Sequence, residues 1–160
     1  MFNLFKKNKF IVEAVCDGDL FPITAVEDDV FSTKMLGDGY AIKPNNGKIY
    51  SPVAGTITTV FPTMHAIGIT VANGLEILIH LGLETVALAG EPFEVFVHEG
   101  SLVKKGDLLV KMDLEMIKTK QYDSTIIVVY TNMDIINSVS EVDAGAVKHG
   151  QEIQVIEFNN

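Results

Sequence analysis

Asn73-Gly74 is the dipeptide that most narrows what this chain can fold into. It lies between Ile67-Gly-Ile-Thr-Val71 and Leu75-Glu-Ile-Leu-Ile79. Asn-Gly between such apolar runs signals a two-residue type I′ hairpin, whose central residues both need positive φ. Closing the hairpin there predicts Ala72 opposite Leu75, Val71 opposite Glu76 and Ile67 opposite His80. His65 then falls one step further along the same face, diagonal to His80. Diagonal cross-strand neighbours lie roughly 7–8 Å apart, within reach of long side chains. The expectation is a pair of imidazoles converging where the hairpin ends, just before the chain breaks at Gly82.

The rest of the chain repeats the short-strand pattern. Segments rich in Val, Ile, Thr and Phe recur at 10–15, 21–24, 41–44, 48–50, 55–61, 67–72, 75–80, 93–97, 108–112, 126–130 and 152–158. Gly, Asp, Asn and Pro separate them, so the fold class is all-β: an antiparallel β-sandwich or barrel-like architecture with a few short helical turns. Helical pieces are expected at 30–36, at 114–121 and at 133–139, the last entered by the capping pattern Asn132-Met-Asp-Ile. Val103-Lys-Lys-Gly-Asp-Leu-Leu109 is echoed by Val147-Lys-His-Gly-Gln-Glu-Ile153, as if the sheet were built from related hairpin units.

Composition restricts the function classes. A chain of 160 residues can bury a substantial core, and the expected division is a flexible segment 1–9 and one domain over 10–160. A net charge of −9 repels nucleic acid and favours a partner with a basic face. Cys16 is the only cysteine, which excludes an intramolecular disulfide and fits a reducing compartment. No apolar run reaches the ~20 residues of a membrane span. The apolar stretch after Lys9 is too short for a signal peptide and is broken by Glu13, so the expected location is the cytoplasm.

His80 could serve as base, metal ligand or nucleophile. No serine or cysteine sits in a G-x-S-x-G elbow, and no Walker A loop is present, which leaves neither a hydrolase triad nor a nucleotide as phosphate source. An imidazole nucleophile beside a second imidazole suits phosphoryl transfer, in which positioning and charge stabilisation do most of the catalysis. Thr63, two residues before His65, offers a hydroxyl to fix that ring's tautomer. His98 and His149 sit beside turn glycines and read as solvated turn residues.

Several blocks, in order, resemble one family. They are Asp38-Gly-Tyr-Ala-Ile-Lys-Pro44, Ser51-Pro-Val-Ala-Gly-Thr-Ile57, Pro62-Thr-Met-His-Ala66, Glu76-Ile-Leu-Ile-His-Leu-Gly-Leu-Glu-Thr-Val86 and Thr131-Asn-Met133. With Glu99-Gly100 and Val103-Lys-Lys-Gly-Asp107, they resemble the glucose-type enzyme IIA proteins of the bacterial sugar phosphotransferase system. The resemblance implies an antiparallel β-sandwich phosphocarrier in which His80 is phosphorylated, His65 supports it and Thr63 holds the supporting ring. It implies HPr as donor and a cysteine on the IIB domain of a membrane permease as acceptor. It also implies a monomer with no required cofactor that works transiently at the inner face of the membrane. Val30, Phe31, Met35, Leu36, Phe61 and Leu78 fall at positions of the family's apolar docking depression. Aliphatic Ile67 and Leu78 depart from the usual phenylalanine-rich rim, and Glu84 stands where aspartate is frequent, placed to bind partner arginines.

Two alternatives belong to other classes. Pro52-Val-Ala-Gly55 with Val97-His-Glu-Gly-Ser-Leu-Val-Lys-Lys-Gly-Asp-Leu-Leu109 is similar to biotinyl and lipoyl carrier domains, with Lys118 near the place of the modified lysine. In a zinc-dependent peptidase, His65, His80 and Glu84 would hold the metal. Zinc at His65 and His80 within a complex also stays open, without an obligatory metal.

Overall fold

The structure is a computed structural model that describes residues 9–160. The expected flexible segment lies outside the described residues except for Lys9, which is already paired, with Glu157, in the first strand. In chain order the strands are β1 (Lys9–Glu13), β2 (Gly18–Pro22), β3 (Asp38–Pro44), β4 (Lys48–Tyr50), β5 (Gly55–Val60), β6 (Ala66–Thr70) and β7 (Glu76–Leu83). There follow β8 (Phe93–Val95), β9 (Leu102–Val103), β10 (Leu108–Met112), β11 (Asp123–Tyr130), β12 (Ile136–Val139), β13 (Gly145–Val147) and β14 (Glu152–Phe158). Two short α-helices, α1 (Asp29–Ser32) and α2 (Leu114–Thr119), and 3-10 turns at Ile23–Ala25, Thr85–Leu88 and Met133–Ile135 complete the described elements.

The strands form an eight-stranded sheet in the order β13-β2-β3-β11-β7-β6-β5-β9 and two three-stranded sheets, β1-β14-β12 and β4-β10-β8. Every pairing is antiparallel, in agreement with the expected all-β class. The unbroken apolar run of β11 follows from burial on both faces. Ile126, Val128 and Tyr130 enter the main core, while Ile127 and Val129 face outward into a second cluster with Ile23, Val26 and Phe31. Residues 23–31 thereby cover one part of the large sheet's outer face, and the rest of that face is left for a site.

The repeat read from sequence is a structural one. Lys104 and Lys148 begin matching turns, closed by Asp107 N–H to the Lys104 carbonyl and Gln151 N–H to the Lys148 carbonyl, both 3.1 Å. The glycines of the two turns have φ of 85° and 84°, the left-handed region where a side chain is disfavoured. Each turn grips an equivalent strand end: Gly106 N–H donates to the Ser51 carbonyl, and Gly150 N–H to the Ala14 carbonyl. The two strand ends then bond reciprocally, Tyr50 N–H to the Val15 carbonyl and Glu13 N–H to the Pro52 carbonyl.

Three expectations are corrected. The β6–β7 hairpin closes through a three-residue loop, because Val71 N–H donates to the Leu75 carbonyl at 2.9 Å and only Gly74, at φ 96°, is left-handed. The register therefore slips by one, and Ala66 rather than Ile67 pairs with His80. The helix expected at 133–139 is a 3-10 turn followed by β12, since Asn132 does not cap it. Its side chain instead accepts from Glu76 N–H and donates to the Gly74 carbonyl, clamping the hairpin.

Candidate functional site

β7 carries His80 on the outer face of the large sheet, beside the border of the region that residues 23–31 cover. At Gly82 the ladder with β11 is irregular, passing from the pair Ile126–Leu81 to Asp123–Leu83. Gly82 has φ 88°, and its carbonyl oxygen turns back to lie 2.7 Å from His80 Nδ1. A carbonyl can only accept, so Nδ1 carries the proton and the lone pair of neutral His80 sits on Nε2. Burial pushes the His80 pKa below the usual histidine value; the Gly82 bond opposes this, His65 adds to it and Asp28 opposes it. The ring is thus a neutral base with its reactive nitrogen pointed away from the tether.

His65 comes from the turn that precedes β6. Met64 is left-handed at φ 58°, and its N–H bonds the Phe61 carbonyl at 2.7 Å. The His65 and His80 rings meet edge to face, with centroids 5.2 Å apart and planes at 77°. Thr63 Oγ1 lies 2.6 Å from His65 Nδ1, and burial lowers the His65 pKa as well. Phe31 stands edge-on to His80 at 5.1 Å and Phe61 edge-on to His65 at 5.3 Å, so each imidazole has an aromatic support.

Both rings line a depression of about 400 Å³ with Asp28, Val30, Phe31, Leu36, Phe61, Ala66, Leu78 and Glu84. The three expected chemical residues, Thr63, His65 and His80, are brought together. Of the six expected docking residues, Val30 and Leu36 are exposed at 41 % and 39 %. Phe61 and Leu78 are half-buried, and Phe31 is buried at 5 % as part of the second core. Met35 is exposed but does not line the depression.

Sequence reasoning missed Asp28 and the Gly82 carbonyl. Asp28 caps α1, its Oδ1 accepting from Val30 N–H at 2.9 Å, and the Asp-Asp-Val-Phe-Ser stretch carried that signal. No residue type announces a backbone carbonyl, although Gly82 marked the break. His149 is more than a solvated turn residue: it stacks on Tyr50 at 4.0 Å and bonds Asp17 through Nδ1 at 2.8 Å.

Residues 10–136 match the family described as phosphoenolpyruvate-dependent sugar phosphotransferase system, EIIA 1. The chain belongs to this family of histidine phosphocarriers. It is 45 % identical over 147 residues to the PTS system glucose-specific EIICBA component of Streptococcus pneumoniae, covering 92 % of this chain and 20 % of that protein. The chain therefore spans about a fifth of that relative's length. It is 45 % identical over 141 residues to the glucose-specific EIIA component of Halalkalibacterium halodurans, covering 88 % of this chain and 82 % of that protein. With the glucose-specific EIIA component of Bacillus cereus it shares 44 % over 152 residues, covering 94 % and 92 %. Its fold matches the glucose permease IIA from Mycoplasma capricolum with a TM-score of 0.86 at 40 % identity, covering 92 % of this chain and 95 % of that one.

Neither alternative class gains support. Lys118 lies inside α2 rather than at a hairpin tip, so it cannot swing as a carrier arm. Among the described residues no group of three or more His, Cys, Asp or Glu is placed to hold a metal.

Proposed function

We propose that the chain relays a phosphoryl group through Nε2 of His80. The observation that carries this reading is the Nδ1 tether to the Gly82 carbonyl, which leaves a neutral, unprotonated Nε2 facing the depression. The lone pair on Nε2 attacks phosphorus as the donor's P–N bond breaks, and the donor imidazole leaves with that electron pair. Family membership supports phospho-HPr as the donor. The fused EIICBA relative supports a IIB domain as the acceptor, and the glucose-specific names of the relatives favour a glucose-type permease. On the way out, the acceptor's thiolate takes the phosphoryl group and the electron pair returns to Nε2.

His65 supplies the charge stabilisation. With its Nδ1 accepting from the Thr63 hydroxyl, its Nε2–H is free to donate to the phosphoryl oxygens. Asp28 and Glu84, on the same depression, select partners that present arginine or lysine beside their reactive group. Exposed Val30 and Leu36 give those partners an apolar seat. Two imidazoles are half of a tetrahedral zinc site, so zinc at His65 and His80 would need ligands from a partner and would occupy the nucleophile. The relay operates as a monomer in the cytoplasm, at the inner membrane face while its permease is engaged.

The test is intact mass after incubation with phosphoenolpyruvate, enzyme I and HPr. One phosphoryl group that acid removes, absent from His80→Ala, is the expected result. Normal uptake by folded His80→Ala would overturn the assignment.

A further inference from the structure

We propose that Thr85 is a positioning residue that sets the tautomer of His80, an inference that rests on His80 being the phosphoryl acceptor. Thr85 is fully buried at the start of the 3-10 turn that follows Glu84. Its hydroxyl donates to the Leu81 carbonyl at 2.5 Å. Its methyl packs on Gly82, where a Cβ would lie 2.5 Å from Thr85 Cγ2 and 2.8 Å from the Asp123 carbonyl oxygen. One side chain therefore holds both sides of the Leu81–Gly82 step.

That step is where the two histidines are anchored. Leu81 N–H donates to the His65 carbonyl at 2.7 Å, Leu81 C=O accepts from Thr85, and Gly82 C=O accepts from His80 Nδ1–H. The Leu81 carbonyl points, like its N–H, to the β6 side, where the regular strand begins only at Ala66, and the Thr85 hydroxyl is its partner there. Without the hydroxyl, the buried Leu81 carbonyl loses its partner, the backbone through Gly82 shifts to satisfy it, and the Gly82 carbonyl moves off Nδ1. His80 would then divide between its two neutral tautomers, and the Nε2–H form has no lone pair where the phosphoryl group arrives. Thr85 touches neither imidazole; it acts through the backbone between them.

The experiment compares Thr85→Val, which keeps the shape and removes the hydroxyl, with Thr85→Ser, which keeps the hydroxyl. Imidazole 15N NMR reads the His80 tautomer without any phosphoryl transfer, and HPr-dependent uptake gives rate and KM. Wild type and Thr85→Ser should show a single Nδ1–H tautomer, and Thr85→Val a mixture. Uptake by Thr85→Val should fall on the order of tenfold to a hundredfold in rate with KM unchanged, as for a reacting group misplaced by a fraction of an ångström. Should Thr85→Val not fold, Thr85→Ala, which removes the hydroxyl without adding bulk, takes its place. A single Nδ1–H tautomer in the folded Val or Ala variant would overturn the proposal. A wild type that fails to take phosphoryl on His80 would instead defeat the phosphocarrier assignment, and the tautomer comparison would still judge Thr85.

Discussion

The His65 ring meets His80 edge to face at 5.2 Å, although the strand ladder sets Ala66, not His65, directly across from His80. Strand alternation alone would turn adjacent residues to opposite faces. His65 reaches its neighbour from the end of β6, where the left-handed Met64 ends the regular strand. The two backbones are joined by Leu81 N–H to the His65 carbonyl, yet each ring has its own Nδ1 partner, the Thr63 hydroxyl for His65 and the Gly82 carbonyl for His80.

Separate Nδ1 partners let nucleophile and stabiliser be tested apart. Folded His65→Ala should still accept phosphoryl from HPr, while transfer to the IIB domain falls about a hundredfold, the usual cost of one charge-stabilising donor. Rapid-quench measurement of both half-reactions reads this directly. Equal loss in the two directions would assign His65 to shaping the site rather than to the phosphoryl group.

Gly82→Ala would place a methyl against Thr85 and the Asp123 carbonyl, at a φ that side chains disfavour. We expect about 2 kcal/mol or more of destabilisation, from the left-handed conformation together with the clash. Phosphoryl uptake should be lost even where the variant folds, because the tether to Nδ1 moves. Thermal unfolding and uptake on the same sample check both; near-native uptake would refute the tether's importance.

Burial holds His65 and His80 below the ordinary histidine range. An unfolded chain protonates these rings as pH falls through about 6.5, while the folded protein resists until their lowered values. The unfolded state binds more protons in that window, so stability must fall as pH is lowered through it. Melting temperature should drop more steeply on acidification for the wild type than for His65→Gln/His80→Gln. Identical slopes would show that the rings are not kept neutral by the fold.

Val30 and Phe31 are neighbours with different work to do. Val30 is exposed on the rim, so Val30→Asp should weaken partner binding about tenfold without changing melting temperature. Phe31 belongs to the second core and backs His80, so Phe31→Ala should cost about 3–5 kcal/mol. Titration calorimetry with HPr and thermal melts separate the two effects. A Val30→Asp protein with unaltered affinity would remove α1 from the docking face.

Much of this was legible in the chain. The hairpin, the two histidines and the threonine beside them all stand in the sequence, and most strands lie within a few residues of their expected places. The register was off by one because Asn73 spends its side chain on Leu75 N–H, which favours the three-residue loop over the type I′ turn. Asn132 looked like a helix cap because a local pattern cannot reveal that its amide is used across the sheet on Glu76 and Gly74. β9 spans only Leu102–Val103, too short for any periodicity to register. Phe31 and Val30 look alike as apolar letters; only the packing of residues 23–31 over β11 separates core from rim.

The matched turns that grip Ala14 and Ser51 also impose an order of events on synthesis. β1 leaves the ribosome well before its hydrogen-bonding partner, β14, from which more than a hundred residues separate it. At ~5–20 residues per second, the early strand waits on the order of ten seconds for that partner. The strand ends around Val15 and Pro52 can lock only after both late turns have arrived. Until β14 is made, β1 therefore has no strand to pair with, and Phe10 and Val12 lack the cover it provides. A chaperone or a stalled ribosome would encounter this protein in that state.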